Sequence, residues 1–473
     1  MPLPAHSAIS SKRPRVGVLG ATLGTGNLGV EALGMSMVYG LSKALPDSKI
    51  VYQSWDLGQR VIISVGEQSI ECDPIAVRRK GSLRHRDGTS QIKKLGRIRR
   101  WLSACSISRL PTFSNTLNQL LSCDAILDVS AGDSFADIYG QEVFEYQSQI
   151  KLLCLELGLP LVLMPQTYGP FYSNRSAQIA GNILSRCAMV CTREADGINE
   201  IKQLCGARTP QRLIRVPDMA FLLEPRKTTL PESFRRAKAD GATCIALNIS
   251  GLLYSSSRSF GLQVDYRQLA QRLLQWALTV PNSHILLVPH VVARSALPQT
   301  KNTQIVSDDT NDISACEHLA SELSGSVRKK VDILSEANDP SLAKYAMSHC
   351  DFFVGARMHA FIGAISQGVP GALLAYSKKA DGLASLLGIS DSIVDPRNAS
   401  IDDCLKEIDA LYHQRQATQQ RLQQRVPLAQ SELNRFFCDD LAPLILAEAT
   451  AISTPHFQSP PPNSMPRKTK VST

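Results

Sequence analysis

What most restricts the fold of this chain is a series of short runs, apolar on both faces, that recur between helix-like segments. The runs are Val16–Leu19, Ile50–Gln53, Ala125–Val129, Leu161–Met164, Met189–Cys191, Ile245–Ile249, Ile285–Val288, Phe352–Val354 and Ala372–Ala375. A strand of a half-solvated sheet alternates apolar and polar residues. A strand that is apolar throughout belongs in a parallel sheet covered by helices on both sides. Helical stretches fall between the runs, among them Val30–Leu45, Tyr266–Leu278 and His359–Gln367. This βαβ alternation predicts an α/β protein of doubly wound architecture. At 473 residues, the chain has room for about two or three domains.

A polar stretch from Glu224 through Asp240 and Gly241 separates two series of strands. The predicted organisation is an N-terminal domain over 15–225 and a C-terminal domain over 241–400. A charged, Gln-rich helical segment follows over 401–450. The tails at 1–14 and 451–473 are expected to be disordered, the latter being rich in Pro, Ser and Lys. The start of the chain lacks the apolar stretch of a secretory signal, and no apolar run is long enough for a membrane span. A cytoplasmic protein, at most peripheral to the inner face of a membrane, is therefore expected. The 12 cysteines are scattered with no CxxC pair, so they read as reduced thiols, with no metal site and no cofactor implied.

The net charge of +9 comes from one place. Residues 78–100 hold ten Lys and Arg against one acid, Asp87. The plain reading is a solvated, partly mobile insertion. The sharper one is docking to an anionic membrane surface or to an anionic, lipid-diphosphate-linked substrate. A nucleic-acid binder would spread its basic residues over a face and interleave aromatics. Only Trp101 stands at the edge here, so nucleic acid is not expected as a partner.

Ligands of open α/β sheets bind beyond the carboxyl ends of the strands, so the residues after each run are the candidate site. They include Asn27, Asp137, Gln166, Tyr168, Arg193, Ser250, His290, Arg357, His359 and Lys378. Gly24-Thr-Gly26-Asn-Leu-Gly29 has the spacing of a dinucleotide motif, but its first glycine does not close the strand directly. A flexible ligand-facing loop capped by Asn27 fits better. Arg357-Met-His359 carries the strongest signal. It joins a strand to a helix of small residues, where backbone N–H groups and the helix dipole favour an anion. The arginine adds a fork that matches carboxylate or phosphate, and the histidine can donate a proton. Arg193 is placed to face Arg357 across a cleft, unless a salt bridge to Glu194 or Asp196 occupies it. Asp137 is placed to bind sugar hydroxyls, act as a base or cap the following helix.

Several segments, in order, resemble the bacterial polysaccharide pyruvyltransferase family. They are Gly26-Asn-Leu-Gly-Val-Glu-Ala-Leu33, Ala131-Gly-Asp-Ser-Phe-Ala-Asp-Ile-Tyr-Gly140, Pro165-Gln-Thr-Tyr-Gly-Pro-Phe171, Thr192-Arg-Glu194, Asp218-Met-Ala-Phe221, Asn248-Ile-Ser-Gly-Leu-Leu253, Val288-Pro-His290, Gly355-Ala-Arg-Met-His-Ala360 and Ala375-Tyr-Ser-Lys378. The resemblance implies two Rossmann-like domains facing across a cleft, in the GT-B manner. It implies phosphoenolpyruvate as donor and a sugar with two suitably placed hydroxyls as acceptor, free, polymeric or lipid-linked. It implies Arg357, His359 and Arg193 at the donor site; the donor's carboxylate and phosphate then call for Arg357 and Arg193 as anchors, His359 as phosphate ligand or proton donor, and Lys378, just after a strand, as a supporting charge. Where relatives commonly carry a glycine run, this chain has Ala131-Gly132-Asp133. Two other readings share parts of this pattern. One is a GT-B glycosyltransferase using a nucleotide-sugar, with Asp381 on the ribose. The other is a non-catalytic scaffold of a polysaccharide-assembly complex, docked through 78–100.

Overall fold

The computed structural model describes residues 13–78, 87–104, 114–255, 261–292, 311–336, 338–375 and 380–451. Two sheets form. The first runs β3-β4-β2-β1-β5-β6-β7-β8, built from β1 (Arg15–Leu19), β2 (Lys49–Gln53), β3 (Val61–Val65), β4 (Gln68–Ile75), β5 (Ala125–Asp128), β6 (Leu161–Gln166), β7 (Met189–Thr192) and β8 (Leu213–Arg215). The second runs β11-β10-β9-β12-β13-β14, from β9 (Thr243–Asn248), β10 (Ser283–Leu287), β11 (Val331–Ile333), β12 (Phe352–Gly355), β13 (Gly371–Leu374) and β14 (Ile393–Val394). Every pairing is parallel except the hairpin β3–β4. All nine apolar runs are strands, and β5, β6, β7, β10, β12 and β13 are buried at each residue.

The sheet orders fix where a ligand would sit. In the first sheet the chain leaves β1 toward β2 and returns to pair β5 on the other side of β1. In the second, β9 lies between β10 and β12 in the same way. Such reversals open a crevice at the strands' carboxyl ends. The residues leaving these strands are Gly20 onward after β1, Ser130–Asp133 after β5, Ser250 after β9 and Arg357 after β12.

The two halves share one core. The helix Leu28–Ala44 is buried on nearly all sides, as a helix enclosed by other elements must be. It packs against the C-terminal half's helices Pro340–Met347 and Met358–Ile365. From Pro340–Met347, the buried Lys344 sends its ammonium into the other half. Its Nζ donates to the carbonyl of Ala220 at 3.3 Å and to that of Leu223. Burial pulls this lysine down to about 7, against a smaller opposing pull from Glu224. The unfolded chain therefore binds a proton that the folded chain releases between about pH 7 and 10, and stability from this group rises with pH there. We expect Lys344→Met to remove that slope, at most about 1.4 kcal/mol per pH unit. Urea unfolding of both proteins across pH 7–10 checks it.

The C-terminal helices tie the halves together again. Ile401–His413 covers the second sheet through Cys404, Ile408 and Tyr412. Arg415–Arg435 and the wound turn Phe436–Leu441 then cross back to the N-terminal core, where Leu433, Phe436 and Phe437 are buried. Gln430 donates to the Phe221 carbonyl at 3.1 Å on that face.

The basic stretch departs from expectation. Residues 89–104 form a helix that buries Ile92 against the helices Asn115–Leu121 and Gln141–Glu156. Arg78 pairs with the buried Asp87 at 3.0 Å, and Lys93 and Arg97 reach Glu156 at 2.6 and 3.7 Å. Much of the described part is thus packed and ion-paired, where a mobile insertion was expected. Residues 79–86 and the side chains from 99 to 113 lie outside the description. Of the cysteines among the described residues, nine are buried free thiols. Burial raises those of Cys72 and Cys123 to about 12, which keeps them unreactive. No described helix is long and apolar enough to cross a membrane.

Candidate active site

The seam between the halves passes through the exits of β1 and β10. Val292 N donates to Gly26 O at 2.7 Å and Leu28 N to His290 O at 3.0 Å. The glycine-rich loop is held rather than flexible. The buried Glu31 accepts from Gly26 N at 3.2 Å and from Thr25 Oγ1 at 3.4 Å. Asn27 caps the helix Leu28–Ala44 by accepting from Gly29 N and Val30 N. That helix start meets the start of Met358–Ile365. A Cβ on Gly29 would sit 2.6 Å from His359 Nδ1, so only glycine lets the two helix ends come this close. The first amides of Leu28–Ala44 are taken by His290 O and by Asn27, whereas the start of Met358–Ile365 has no side-chain cap, so the partial positive charge there favours an anion.

His359 is 14% exposed, with Nε2 3.7 Å from Asp218 Oδ2. Asp218 follows β8 and also takes Nη1 of Arg193, which leaves β7. Burial would raise Asp218, but the Arg193 charge, then His359, and a bond from Ala220 N hold its carboxyl far below the usual range. Arg193 is 5% exposed; its Nε donates to Thr167 Oγ1 at 3.2 Å and lies 3.6 Å from Glu194 Oε1. Thr167 Oγ1 in turn donates to Glu194 at 2.6 Å. The expected salt bridge of Arg193 to Glu194 is present but secondary; the main partner is Asp218. Burial works against the Arg193 charge, and Asp218, Glu194 and Asp133 together outweigh it.

Gly132 sits between these groups. A Cβ there would lie 3.4 Å from Arg193 Nη1 and 3.6 Å from His359 Cε1. Ser130, Ala131 and Gly132 have φ of 44, 54 and 89° in succession, which brings the backbone into the cleft. That conformation favours glycine, which stands at the third of these positions. A side chain there costs about 1–2 kcal/mol. Ala131→Gly is accordingly expected to raise stability by about 1 kcal/mol, read as the shift in a urea transition.

On the C-terminal wall, Arg357 Nη2 donates to the fully buried Asp312 at 2.8 Å. Asp312 also accepts from Gly251 N at 2.8 Å, His290 N at 3.0 Å and Val291 N at 2.9 Å. One carboxylate therefore fixes three strand exits. Asn248 at the end of β9 accepts from Arg357 N at 3.0 Å. His290 is buried, and neither ring nitrogen has a hydrogen-bond partner. Burial, then the charges of His359 and Arg357, pull it down to about 3. It is a neutral imidazole facing the two groups expected to do the chemistry.

Other expected site residues are turned to structural tasks. Tyr168 is a core residue, not part of the site. Its hydroxyl donates to Cys191 O at 2.9 Å and its ring packs edge-on against Phe135. Asp137 neither caps a helix nor offers a free carboxylate. Its oxygens accept from Tyr172 N at 2.8 Å and Ser173 N at 3.0 Å. Those bonds outweigh burial and lower its pKa. A carboxylate so occupied pins the loop after β6 and is a poor base. Gln166 is buried and donates to Asp128 O at 3.2 Å. Ser250 accepts from Leu253 N at 3.4 Å at the start of Gly251–Ser255. Lys378 and the side chain of Asp381 lie outside the described residues.

Asp218, Asp312, Thr167, Glu194 and Asn248 were not singled out as site residues from sequence. Asp218 had a usable signal, standing three residues beyond a short strand in a segment shared with the family. Asp312 had none, because it follows no strand.

Known proteins resemble this chain in family and in fold. The family model described as polysaccharide pyruvyl transferase matches residues 27–378, a span that contains each of Asn27, Arg193, Asp218, His290, Asp312, Arg357 and His359. The chain is 24% identical over 320 residues to the amylovoran biosynthesis protein AmsJ of Erwinia amylovora, covering 67% of this chain and 71% of that one. Among solved structures, it is similar to a putative UDP-N-acetylglucosamine 2-epimerase from Listeria monocytogenes, with a TM-score of 0.54 and 11% identity over 94% of this chain and 98% of that one. It is also similar to the trehalose-6-phosphate synthase OtsA, with a TM-score of 0.50 and 11% identity over 91% and 98%. At such identities these structures speak to the fold alone, two Rossmann-like domains facing across a cleft in the GT-B manner. With that fold, and with the family match spanning most of the chain and both walls of the cleft, the protein belongs to the polysaccharide pyruvyl transferase family.

Proposed function

We propose that this protein moves the enolpyruvyl unit of phosphoenolpyruvate onto two hydroxyls of one sugar in a polysaccharide or its precursor, forming a pyruvate ketal and releasing phosphate. The observation that carries the reading is the meeting at Asp218 of Arg193 from one half with His359 from the other, His359 standing two residues along the chain from Arg357. The donor carries a carboxylate and a phosphate, so it needs at least two cationic anchors. Arg357 and Arg193 are those anchors, and the start of Met358–Ile365 adds to them. Lys378 adds a further charge on sequence grounds.

The chemistry needs one well-placed acid. His359 gives a proton to the methylene carbon of the enol, leaving an oxocarbenium-like centre at the adjoining carbon. A sugar hydroxyl attacks that carbon and its proton returns to His359. The bond to phosphate breaks, the second hydroxyl closes the ring, and its proton leaves on the departing phosphate. Clamps of this kind act through orientation and through stabilisation of developing charge.

Purified protein should release phosphate from phosphoenolpyruvate only when a suitable sugar or sugar-lipid is present. Mass spectrometry should show the acceptor heavier by one pyruvate less one water. Absence of phosphate release, together with binding of a nucleotide-sugar, would replace this reading with glycosyl transfer.

A further inference from the structure

We propose that Asp218 is a positioning residue that holds Arg193 of one half beside His359 of the other, so that the donor site is completed across the seam between the halves. Each arginine of the site has its own buried carboxylate, but the two carboxylates differ. Asp312 binds groups of the C-terminal half only. Asp218 belongs to the N-terminal half and reaches both Arg193 of its own half and His359 of the other. Its second oxygen is anchored by Ala220 N at 2.9 Å, so the carboxylate cannot swing freely. Around His359 the structure also gathers Gly29 and Gly132 from the N-terminal half and His290 and Arg357 from its own. Among the described residues in that ring, Asp218 is the carboxylate within ion-pair distance of the imidazole.

The arrangement works against anion binding as such. A carboxylate beside Arg193 and His359 competes with the donor for both. A group that weakens binding yet sits at the centre of the site is explained by orientation, because a misplacement of about 1 Å at a reacting centre costs about 10²-fold in rate. Asp218 does not touch the donor; it acts through His359 and Arg193.

Two variants of the full chain test this, Asp218→Asn and Asp218→Glu. Both are first checked by thermal unfolding, then titrated with inorganic phosphate by calorimetry and assayed for donor turnover. The turnover arm rests on the pyruvyl-transfer reading; the phosphate arm does not. Asp218→Asn is expected to bind phosphate several-fold more tightly while turnover falls on the order of 10²-fold. Asp218→Glu keeps the charge but shifts it by one methylene. It is expected to bind phosphate as the unaltered protein does and to lose about tenfold in turnover. Turnover near the unaltered level in both folded variants would overturn the proposal. So would weaker phosphate binding in Asp218→Asn, since that would make the aspartate a support for the anion site. If the asparagine variant does not fold, the glutamate variant decides by its turnover at unchanged phosphate affinity. If the unaltered protein forms no ketal, the phosphate titration of Asp218→Asn decides alone.

Discussion

Replacing His359 with alanine is expected to lower turnover by about 10²–10⁴-fold, while the melting temperature stays close to that of the unaltered protein. The two halves of this expectation have separate grounds. His359 sits at the start of Met358–Ile365, where alanine is at least as good a helix former. Its Nε2 has no hydrogen-bond partner within normal distance, so truncation leaves few groups unmet. Asp218 keeps Arg193 and Ala220 N as partners. On the proposed mechanism, by contrast, the reaction loses its proton donor. Phosphate release from phosphoenolpyruvate and a thermal melt on the same preparation check both parts. Full activity in the variant would remove His359 from the mechanism.

The largest loss of stability is expected at Asp312. Its carboxylate is fully buried and accepts from Gly251 N, His290 N, Val291 N and Arg357 Nη2. Asp312→Ala leaves these three buried amides unmet and strips a mostly buried arginine of its counter-charge. Such losses cost about 3–5 kcal/mol, with about 1–3 kcal/mol for each unsatisfied buried group setting the scale. Donor binding should fail with it, because the same carboxylate orients Arg357. Arg357→Ala provides the contrast. Asp312 would keep its three backbone partners, so stability should fall much less while donor binding is still lost. Urea unfolding of both variants, with donor affinity measured on each, separates the two effects. Equal stability loss in both would mean that the amides contribute little.

The acid side of the two anchors also explains why the site's charge is balanced before any ligand arrives. Arg193 and Arg357 are each paired, with Asp218 and Asp312. Unpaired, two guanidinium groups this deeply buried would be costly. The pairing lets the protein keep cations inside a cleft, at the cost of some affinity for an anionic donor.

The tier of structure that sequence reveals is the one set by local patterning. The nine apolar runs, the three helices read from their apolar spacing and the break between β8 and β9 follow from burial periodicity and chain polarity, which act over a few residues. The β3–β4 hairpin was missed because its strands are half-solvated and mix polar with apolar residues around Gly66. The strands β8, β11 and β14 are too short for any period to register. At the site, Arg357, His359, Arg193 and Asn27 were legible because each directly follows a strand or opens a helix. Tyr168 stands at an equivalent place, yet its ring turned into the core, since a bulky aromatic gains more from burial there than from a wet cleft. Sequence by itself thus determined the strand order's raw material, the doubly wound class and the cationic residues at the strand exits. Only the tertiary structure decided which carboxylates those cations meet. Asp218 and Asp312 lie far along the chain from Arg193 and Arg357, and a pairing of buried charges at that separation depends on how the sheets twist and close, which no local pattern encodes.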